Sequence, residues 1–455
     1  MVRPASLGVR ELKKGIVIIL ALTGILGAFG RAGAETALSA QDVRERALQF
    51  NRNYLAARED VAKAESDIIK ARAGAFPSLN LLGSYSRNVI LPSFFVNPEG
   101  EEPVEFKTGL KNAFGASLAL RQSLWQGGKV FTAWAIAKQY KKYAEAQAGR
   151  VAAEVVYNAD LLFYSAVLEQ SRLNVLNTAF ETNSLNLEMV EKLYSQGMVS
   201  EFEVLRARVE KSNLLPQILR VESDLRLSRK RLKSFIGIDL EEAIILIEDE
   251  GDTSLVRLPS LQALTDSALA LRSEVKQAEY LADISKKAIR IAKGGYYPSL
   301  EAVSTYSWQS QSDDFTLSEN QTDSWSIGIN LRIPIFQGGY TRGEVKESRA
   351  TYNQARLAAM QLKDDVRLDV EEAYDQILQA KKALDIQGET IAEAEAGLRI
   401  ANLRYETGVG TQLEVLSAQT ALTQARQALA EATFFFRQAH SLLNKATNII
   451  IKTDS

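Results

Sequence analysis

The chain is 455 residues long, and its 54 lysines and arginines almost balance its 56 aspartates and glutamates, which gives a formal net charge of −2. It contains no cysteine, which excludes disulfides, thiolate metal sites and a cysteine nucleophile. The chain has a single histidine, His440, which argues against Ser/His/Asp catalysis and against a histidine metal cluster. We therefore assign no catalytic residue, no metal site and no cofactor, and the mildly acidic balance argues against nucleic acid as a partner.

The N-terminal segment has the order of a secretory signal peptide. An uncharged apolar run over residues 15–30 is followed by the small residues Ala32-Gly33-Ala34 and preceded by four basic residues, Arg3, Arg10, Lys13 and Lys14. The run is shorter than the roughly 20 residues of a membrane-spanning helix. We expect residues 1–34 to be cleaved as a signal peptide; the alternative is an uncleaved anchor helix. No later stretch approaches eighteen consecutive apolar residues, so we expect no single helix of the mature chain to cross a membrane.

The rest of the chain is a tandem duplication. Residues 120–128 match residues 331–339 at an offset of 211, and residues 194–205 match residues 405–416 at the same offset. A third match, between Phe76-Pro77-Ser78-Leu79 and Tyr297-Pro298-Ser299-Leu300, has an offset of 221. Repetition at a fixed spacing and in the same order indicates two copies of one structural unit.

Each copy is predicted to contain a helix, two strands, a long helix, a turn and a further helix. The predicted units are a first repeat over 35–236, with a strand pair 76–125, a long helix 128–195 and a helix 200–235; a connector over 237–259; a second repeat over 260–446, with a strand pair 297–336, a long helix 340–405 and a helix 411–446; and a C-terminal tail over 447–455.

The long helices carry a heptad pattern. Stepping by alternating threes and fours from Ala148 to Tyr194 meets apolar residues at all but two positions, and the same steps from Ala359 to Tyr405 do so again. A period of 3.5 residues that is sustained over many turns predicts a left-handed coiled coil. Each long helix should extend about 100 Å at 1.5 Å per residue.

Two of the four predicted strands alternate cleanly between apolar and polar residues, over 112–125 and 323–336. This pattern fits a membrane barrel wall, and also a soluble sandwich. Four strands in two hairpins leave open edges, which are costly in hydrocarbon, so a barrel requires several copies of the chain. The long loop over 91–110 is then predicted to be extracellular, acidic and solvated.

These repeated landmarks resemble the TolC-like outer-membrane efflux proteins. The resemblance covers about 39–446 and rests on the two Pro-Ser-Leu segments, on Trp125-Gln126-Gly127-Gly128 and Phe336-Gln337-Gly338-Gly339, and on the turns after Tyr194 and Tyr405. It implies a mainly α fold with a small β part: a homotrimer whose twelve strands close one barrel in outer-membrane lipid above a periplasmic tunnel of twelve helices, with the connector as a belt at mid-height.

The function that the resemblance implies is a passive exit duct in the outer membrane that extends into the periplasm. A periplasmic adaptor (membrane fusion) protein and an inner-membrane transporter would be its partners, in either a tripartite efflux pump or a type I secretion system. The alternative from another class is a non-conducting periplasmic coiled-coil scaffold, in which the alternating segments form a soluble sheet.

The turns at the far end of the long helices should form the periplasmic tip. By resemblance, adaptor hairpins dock on eight residues there: Gly197, Met198, Val199, Ser200, Gly408, Val409, Gly410 and Thr411. A plainer interpretation is that these are good turns, with glycine ending one helix and Ser200 and Thr411 capping the next.

Acids near the tip are the candidate gate, because a trimer would repeat each of them three times on a ring that attracts cations. The candidates are Glu203, Glu414, Glu389, Glu393 and Glu395. By resemblance, Glu203 aligns with an acid that helps to hold the family's tip closed. The alternative role of Glu203 and Glu414 is structural, since a carboxylate in the first turn of a helix complements the helix dipole.

Overall fold

The computed structural model describes residues 36–96, 102–247 and 258–448. The predicted signal peptide, residues 97–101 of the acidic loop, residues 248–257 of the connector and residues 449–455 of the tail lie outside these ranges. The helices are α1 (Ala40–Phe50), α2 (Arg52–Ala73), α3 (Lys129–Ser195), α4 (Glu201–Phe235), α5 (Leu261–Leu271), α6 (Ser273–Lys293), α7 (Tyr340–Glu406) and α8 (Gln412–Thr447). The strands are β1 (Thr36–Leu38), β2 (Ser78–Arg87), β3 (Ser93–Val96), β4 (Val104–Lys107), β5 (Asn112–Gln126), β6 (Ile244–Leu246), β7 (Ser299–Ser312) and β8 (Thr322–Arg332).

The single helix predicted at the start of each repeat is two helices. In the first repeat the chain leaves helical geometry at Asn51, which has φ −67° and ψ 123°. Its side chain accepts hydrogen bonds from the backbone N–H groups of Asn53 and Tyr54, at 3.0 and 3.4 Å. Asn51 therefore ends α1 and caps α2. In the second repeat Arg272, with φ −59° and ψ 133°, separates α5 from α6 by the same backbone bend but without a side-chain cap.

Four strands form one antiparallel sheet in the order β2-β5-β7-β8. The register places Leu81 opposite Leu118, and Leu118 opposite Tyr306. Residues that face each other directly across an antiparallel pair lie on the same face. The register therefore joins the apolar positions of all four strands into one continuous face. β2 and β8 form the two open edges of this sheet.

Two smaller strand pairs were not predicted. β1 and β6 pair in parallel, which ties the start of the first repeat to the connector. β3 and β4 form a hairpin within the loop that was predicted to be acidic and solvated, and the Phe94 and Phe106 rings stack across it with centroids 5.8 Å apart. Only a few residues form each pair, too few for the period of a strand to be visible in the sequence.

The long helices pack as hairpins, with α3 against α4 and α7 against α8, and α3 also packs against α8. The predicted seam is buried at Val155, Ala159, Val366 and Val370. Among the described residues α3 is the one helix that is long and apolar enough to cross a membrane, which the sequence pattern did not predict. Since α3 packs against five other helices, α1, α2, α4, α6 and α8, its apolar surface serves helix packing.

Each repeat has its own core near the connector. The first core gathers residues of α1, α3, α4 and β6 around Phe163, and the second gathers residues of α5, α7 and α8 around Phe436. Asp160 is buried and links the repeats: Arg44 Nε of the first repeat donates to Asp160 Oδ1 at 2.6 Å, and Ser441 Oγ of the second repeat donates to Asp160 Oδ2 at 2.8 Å. This cluster fixes α1 and α3 against α8.

Candidate functional site

The two tip turns share one backbone conformation. Gly197 and Gly408 both have φ +74°, which favours glycine because it has no Cβ. After each glycine the chain turns back, and the N–H groups of Met198 and Val409 donate to the carbonyl oxygens of Leu193 and Arg404, both at 3.0 Å. These bonds satisfy carbonyls that the helix end leaves free. Six of the eight predicted tip residues are exposed, while Val199 and Gly410 are half-buried.

The next helices begin differently. Thr411 Oγ1 accepts a hydrogen bond from the Glu414 N–H at 3.3 Å, as predicted for a cap. Ser200 occupies the corresponding N-cap position but makes no side-chain cap bond. The prediction that Ser200 caps α4 was therefore wrong at the level of the side chain, because a suitable residue type does not fix the rotamer that points at the N–H group.

The two tips lie against each other. Gln412 Nε2 donates to the backbone oxygen of Glu203 at 3.1 Å. The Tyr405 hydroxyl is buried beside Glu203: burial raises the pKa of Tyr405, and the negative charge of Glu203 raises it further. The hydroxyl therefore stays protonated at neutral pH. In the sequence Tyr405 was identified as a seam residue and as the landmark before the second tip turn, and its heptad position was the signal that it faces another helix.

The predicted gate acids fall into two groups. Glu203 and Glu414 lie in the first turns of α4 and α8, at the touching tips. Glu389, Glu393 and Glu395 lie earlier in α7, about 15 to 24 Å from Tyr405 along the helix axis at 1.5 Å per residue. The structure therefore brings the first two together and leaves the other three apart from them.

Two of these acids are paired within the chain. Glu414 Oε2 lies 3.3 Å from Arg404 Nε, and Glu395 Oε1 lies 3.0 Å from Arg426 Nη2. Glu389 and Glu393 are exposed, and neither has an ion-pair partner within the part of the chain that the structure describes. Arg404 and Arg426 could not be identified from the sequence, because an ion pair between two helices leaves no fixed spacing.

The strand sheet has two chemically opposite faces. One face carries large apolar and aromatic residues: Leu79, Leu81, Tyr85, Phe114, Leu118, Leu120, Tyr306, Trp308, Trp325, Ile327, Ile329 and Leu331. The other carries mainly serine, threonine, asparagine, glutamine and glycine, with the charged residues Arg121, Glu301 and Arg332 at the end near the helices. Apolar outside and polar inside is the alternation of a membrane barrel wall.

Comparison with known proteins agrees with this geometry. The family model described as outer membrane efflux protein matches residues 43–238 and 264–448. The chain belongs to the outer membrane efflux protein family. The outer membrane protein TolC of Vibrio cholerae serotype O1 (strain ATCC 39315 / El Tor Inaba N16961) is 20% identical to this family member over 389 residues, which cover 85% of each chain. TolC of Escherichia coli (strain K12) is 24% identical over 347 residues, which cover 71% of this chain and 67% of that protein.

Solved structures share the fold. A crystal structure of CusC superimposes with a TM-score of 0.75 at 19% identity and covers 92% of this chain and 95% of CusC. The predicted TolC-like architecture, the outer-membrane location and the role as an efflux channel are confirmed. The relatives are efflux channels, and the alternative of a non-conducting scaffold is not favoured.

Proposed function

We propose that three copies of this efflux protein close a twelve-stranded barrel above a twelve-helix periplasmic tunnel and serve as a passive exit duct. The observation that carries this proposal is the four-stranded sheet, with one continuous apolar face and open edges at β2 and β8. An unpaired strand edge in hydrocarbon costs several kcal/mol per backbone group, so the edges need partners. Pairing β8 of one copy with β2 of the next removes every edge.

Neighbouring residues of β8 offer a direct test. Ile329 lies on the apolar face and is 68% exposed in the single chain, while Asn330 lies on the polar face. Ile329→Arg should weaken barrel assembly by about 2 to 4 kcal/mol if the residue meets lipid near the bilayer midplane. Asn330→Arg should assemble normally and shift ion selectivity towards anions.

The measurements are the amount of heat-modifiable trimer in the outer-membrane fraction and ion conductance in planar bilayers. The unsubstituted protein should form such trimers and conduct. Equal assembly of both variants would contradict the assignment of the two faces, and a soluble protein that does not conduct would contradict the duct itself.

The duct would work with an inner-membrane transporter and a periplasmic adaptor protein. The tip is the proposed adaptor-docking surface, supported by the exposure of both turns and by the side chains of Met198 and Val409, which are 67% and 74% exposed. Exposed apolar side chains at the end of a long helical hairpin fit a protein partner. Neighbouring genes that encode an adaptor would support this docking surface, and the class of transporter encoded beside them would distinguish a tripartite pump from a type I secretion system.

The tip would also be the gate. The hydrogen bond from Gln412 Nε2 to the Glu203 backbone oxygen joins the second hairpin to the first, and the Arg404–Glu414 pair lies at the same level. Both links are partly exposed, and such contacts contribute about 0.2 to 1 kcal/mol each. A closed state that is held by links of this size can be opened by the binding of an adaptor, while unpaired Glu389 and Glu393 add negative charge along α7.

A further inference from the structure

A basic cleft lies where the strands of the second repeat join their helices. It has a volume of about 520 Å³ and is lined by Lys293, Tyr296, Tyr297, Arg342, Val345, Lys346 and Arg349. Four of these side chains are cationic and none is acidic. The two tyrosines are 54% and 57% exposed, so their hydroxyls are accessible to a ligand.

The cations of this cleft are not neutralised within the chain. Lys293, Arg342, Lys346 and Arg349 are all exposed, and none of them has an ion-pair partner among residues 36–96, 102–247 and 258–448. The nearest acids in sequence, Glu344 and Glu347, project at least about 100° around α7 from the basic residues, at 3.6 residues per turn. The cleft therefore presents concentrated positive charge to an external anion.

The cleft sits next to the membrane-facing sheet. Lys293 ends α6 six residues before β7 begins, and Arg342 is the third residue of α7, which follows β8. Arg342, Lys346 and Arg349 fall within about 14 Å of the start of α7. In the proposed barrel the strands span the outer membrane, which places this level at the headgroups of the periplasmic leaflet.

The first repeat indicates which side of the helices the basic residues occupy. At the offset of 211, Arg342 corresponds to Phe131, which is 64% exposed although α3 is flanked by α2 and α6 in the same chain. Arg349 corresponds to Lys138, whose ammonium lies 3.8 Å from the centroid of the Trp134 ring. An exposed phenylalanine beside a tryptophan and a lysine is typical of a membrane interface. The duplication therefore places the basic cleft on the lipid side rather than in the lumen.

We propose that this cleft binds the phosphate of an anionic phospholipid, such as phosphatidylglycerol, from the periplasmic leaflet of the outer membrane. The arginines and lysines bind the phosphate oxygens, and the tyrosine hydroxyls donate to the same group or to the glycerol headgroup. The cleft is formed by α6, α7 and the turn between α6 and β7 of one chain, so each copy carries a complete site. The position of the site at the leaflet rests on the proposed barrel, whereas lipid retention is measured without conductance, so failure of the site and failure of the duct can be told apart.

The test measures lipid retained by the purified full-length protein in a mild detergent, counted by native mass spectrometry after incubation with phosphatidylglycerol or with phosphatidylcholine. The unsubstituted protein should retain phosphatidylglycerol in preference. Arg342→Gln combined with Lys346→Gln should weaken that binding about 30-fold, because each basic side chain near a headgroup contributes about a fivefold change. Arg342→Lys keeps the charge and should retain the lipid.

The matched control is Arg226→Gln combined with Arg231→Gln, two exposed cations on α4 far from the strands. This variant loses the same charge and should bind phosphatidylglycerol as the unsubstituted protein does. Equal retention of the two lipids, or equal loss in both double variants, overturns the proposal. Equal affinity for inorganic phosphate overturns the assignment to lipid. If Arg342→Gln combined with Lys346→Gln weakens the trimer but the protein keeps its lipid, the cations of the cleft pair with acids of the next copy. That outcome also overturns the proposal.

Discussion

The two helical hairpins of this efflux protein descend from one duplicated unit, yet different side-chain contacts fasten their tips. In the second hairpin Thr411 caps α8 and Arg404 pairs with Glu414. At the matching positions of the first hairpin, Ser200 makes no cap bond and Leu193 replaces the arginine. The first tip has a link of its own, because Arg208 Nη2 on α4 lies 2.9 Å from Glu191 Oε1 on α3, and Glu203 accepts a hydrogen bond from Gln412 of the second tip.

The helices that follow the tips, α4 and α8, also differ in how they pack. α8 packs against both α3 and α7, whereas α4 packs mainly against α3. Large apolar residues of α4 such as Leu219 and Val209 are 65% and 56% exposed in the single chain. The two hairpins therefore share a backbone pattern but pack differently. The second hairpin packs within the chain, whereas α4 of the first hairpin leaves an apolar face open to a neighbouring protomer.

The largest effect is expected at the turns. Gly197→Leu or Gly408→Leu should abolish export while the trimer still assembles, because φ +74° is strained for leucine and the bulky side chain blocks the docking surface. Export is measured as resistance to, or release of, the cargo once that cargo is known. Gly388→Leu, at an exposed α7 position with open space around it, is the control. Unchanged export in the tip variants would remove the docking surface from this site.

The core of the second hairpin should be the next most sensitive. Phe436 is fully buried, and Phe436→Ala should lower the free energy of unfolding by about 3 to 5 kcal/mol through the cavity that it leaves. The control is an exposed phenylalanine of α4: Phe202 is 64% exposed, and Phe202→Ala should cost no more than about 0.5 kcal/mol. Urea unfolding followed by circular dichroism measures both. Similar costs would contradict the role of Phe436 in the core of the second repeat.

A smaller difference in stability is expected between the first turns of α8 and α4. Thr411→Ala should destabilise the start of α8 by about 1 kcal/mol because the Glu414 N–H loses its acceptor, whereas Ser200→Ala should change the start of α4 by a few tenths. Hydrogen exchange of the Glu414 amide should become about fivefold faster in the threonine variant. If the serine variant loses as much protection at Glu203, the caps are equivalent and the comparison fails there.

The smallest energies concern the gate. Changing Glu203 and Glu393 to alanine should raise the resting conductance and reduce the preference for cations, because links of about 0.2 to 1 kcal/mol and two acids per chain are lost. Single-channel recording of assembled trimers measures both quantities. Glu181→Ala, at an exposed acid of α3, is the control. Conductance and selectivity that match the unsubstituted protein would leave these acids as helix caps and solvated surface.

The sequence by itself determined the order of the elements and the faces they bury. The heptad pattern through Val155 and Val366 and the alternation through Ile327 and Ile329 are periodic, so many side chains indicate the same buried or lipid-facing side of each element. Because the repeats match at a fixed offset, a structure assigned to one repeat could also be assigned to the other. The fold class and the efflux family were both predictable from this redundancy, which needs no knowledge of any single contact.

Only the tertiary structure decided which side chains meet. The Arg44–Asp160–Ser441 cluster joins residues that are 116 and 281 positions apart, and the basic cleft gathers Lys293 with Arg342 and Arg349 across the whole strand pair. Such contacts depend on the relative shift and rotation of packed helices, which no local pattern encodes. The failed cap at Ser200 has the same cause, because the rotamer of one side chain is fixed by its surroundings rather than by its place in a motif.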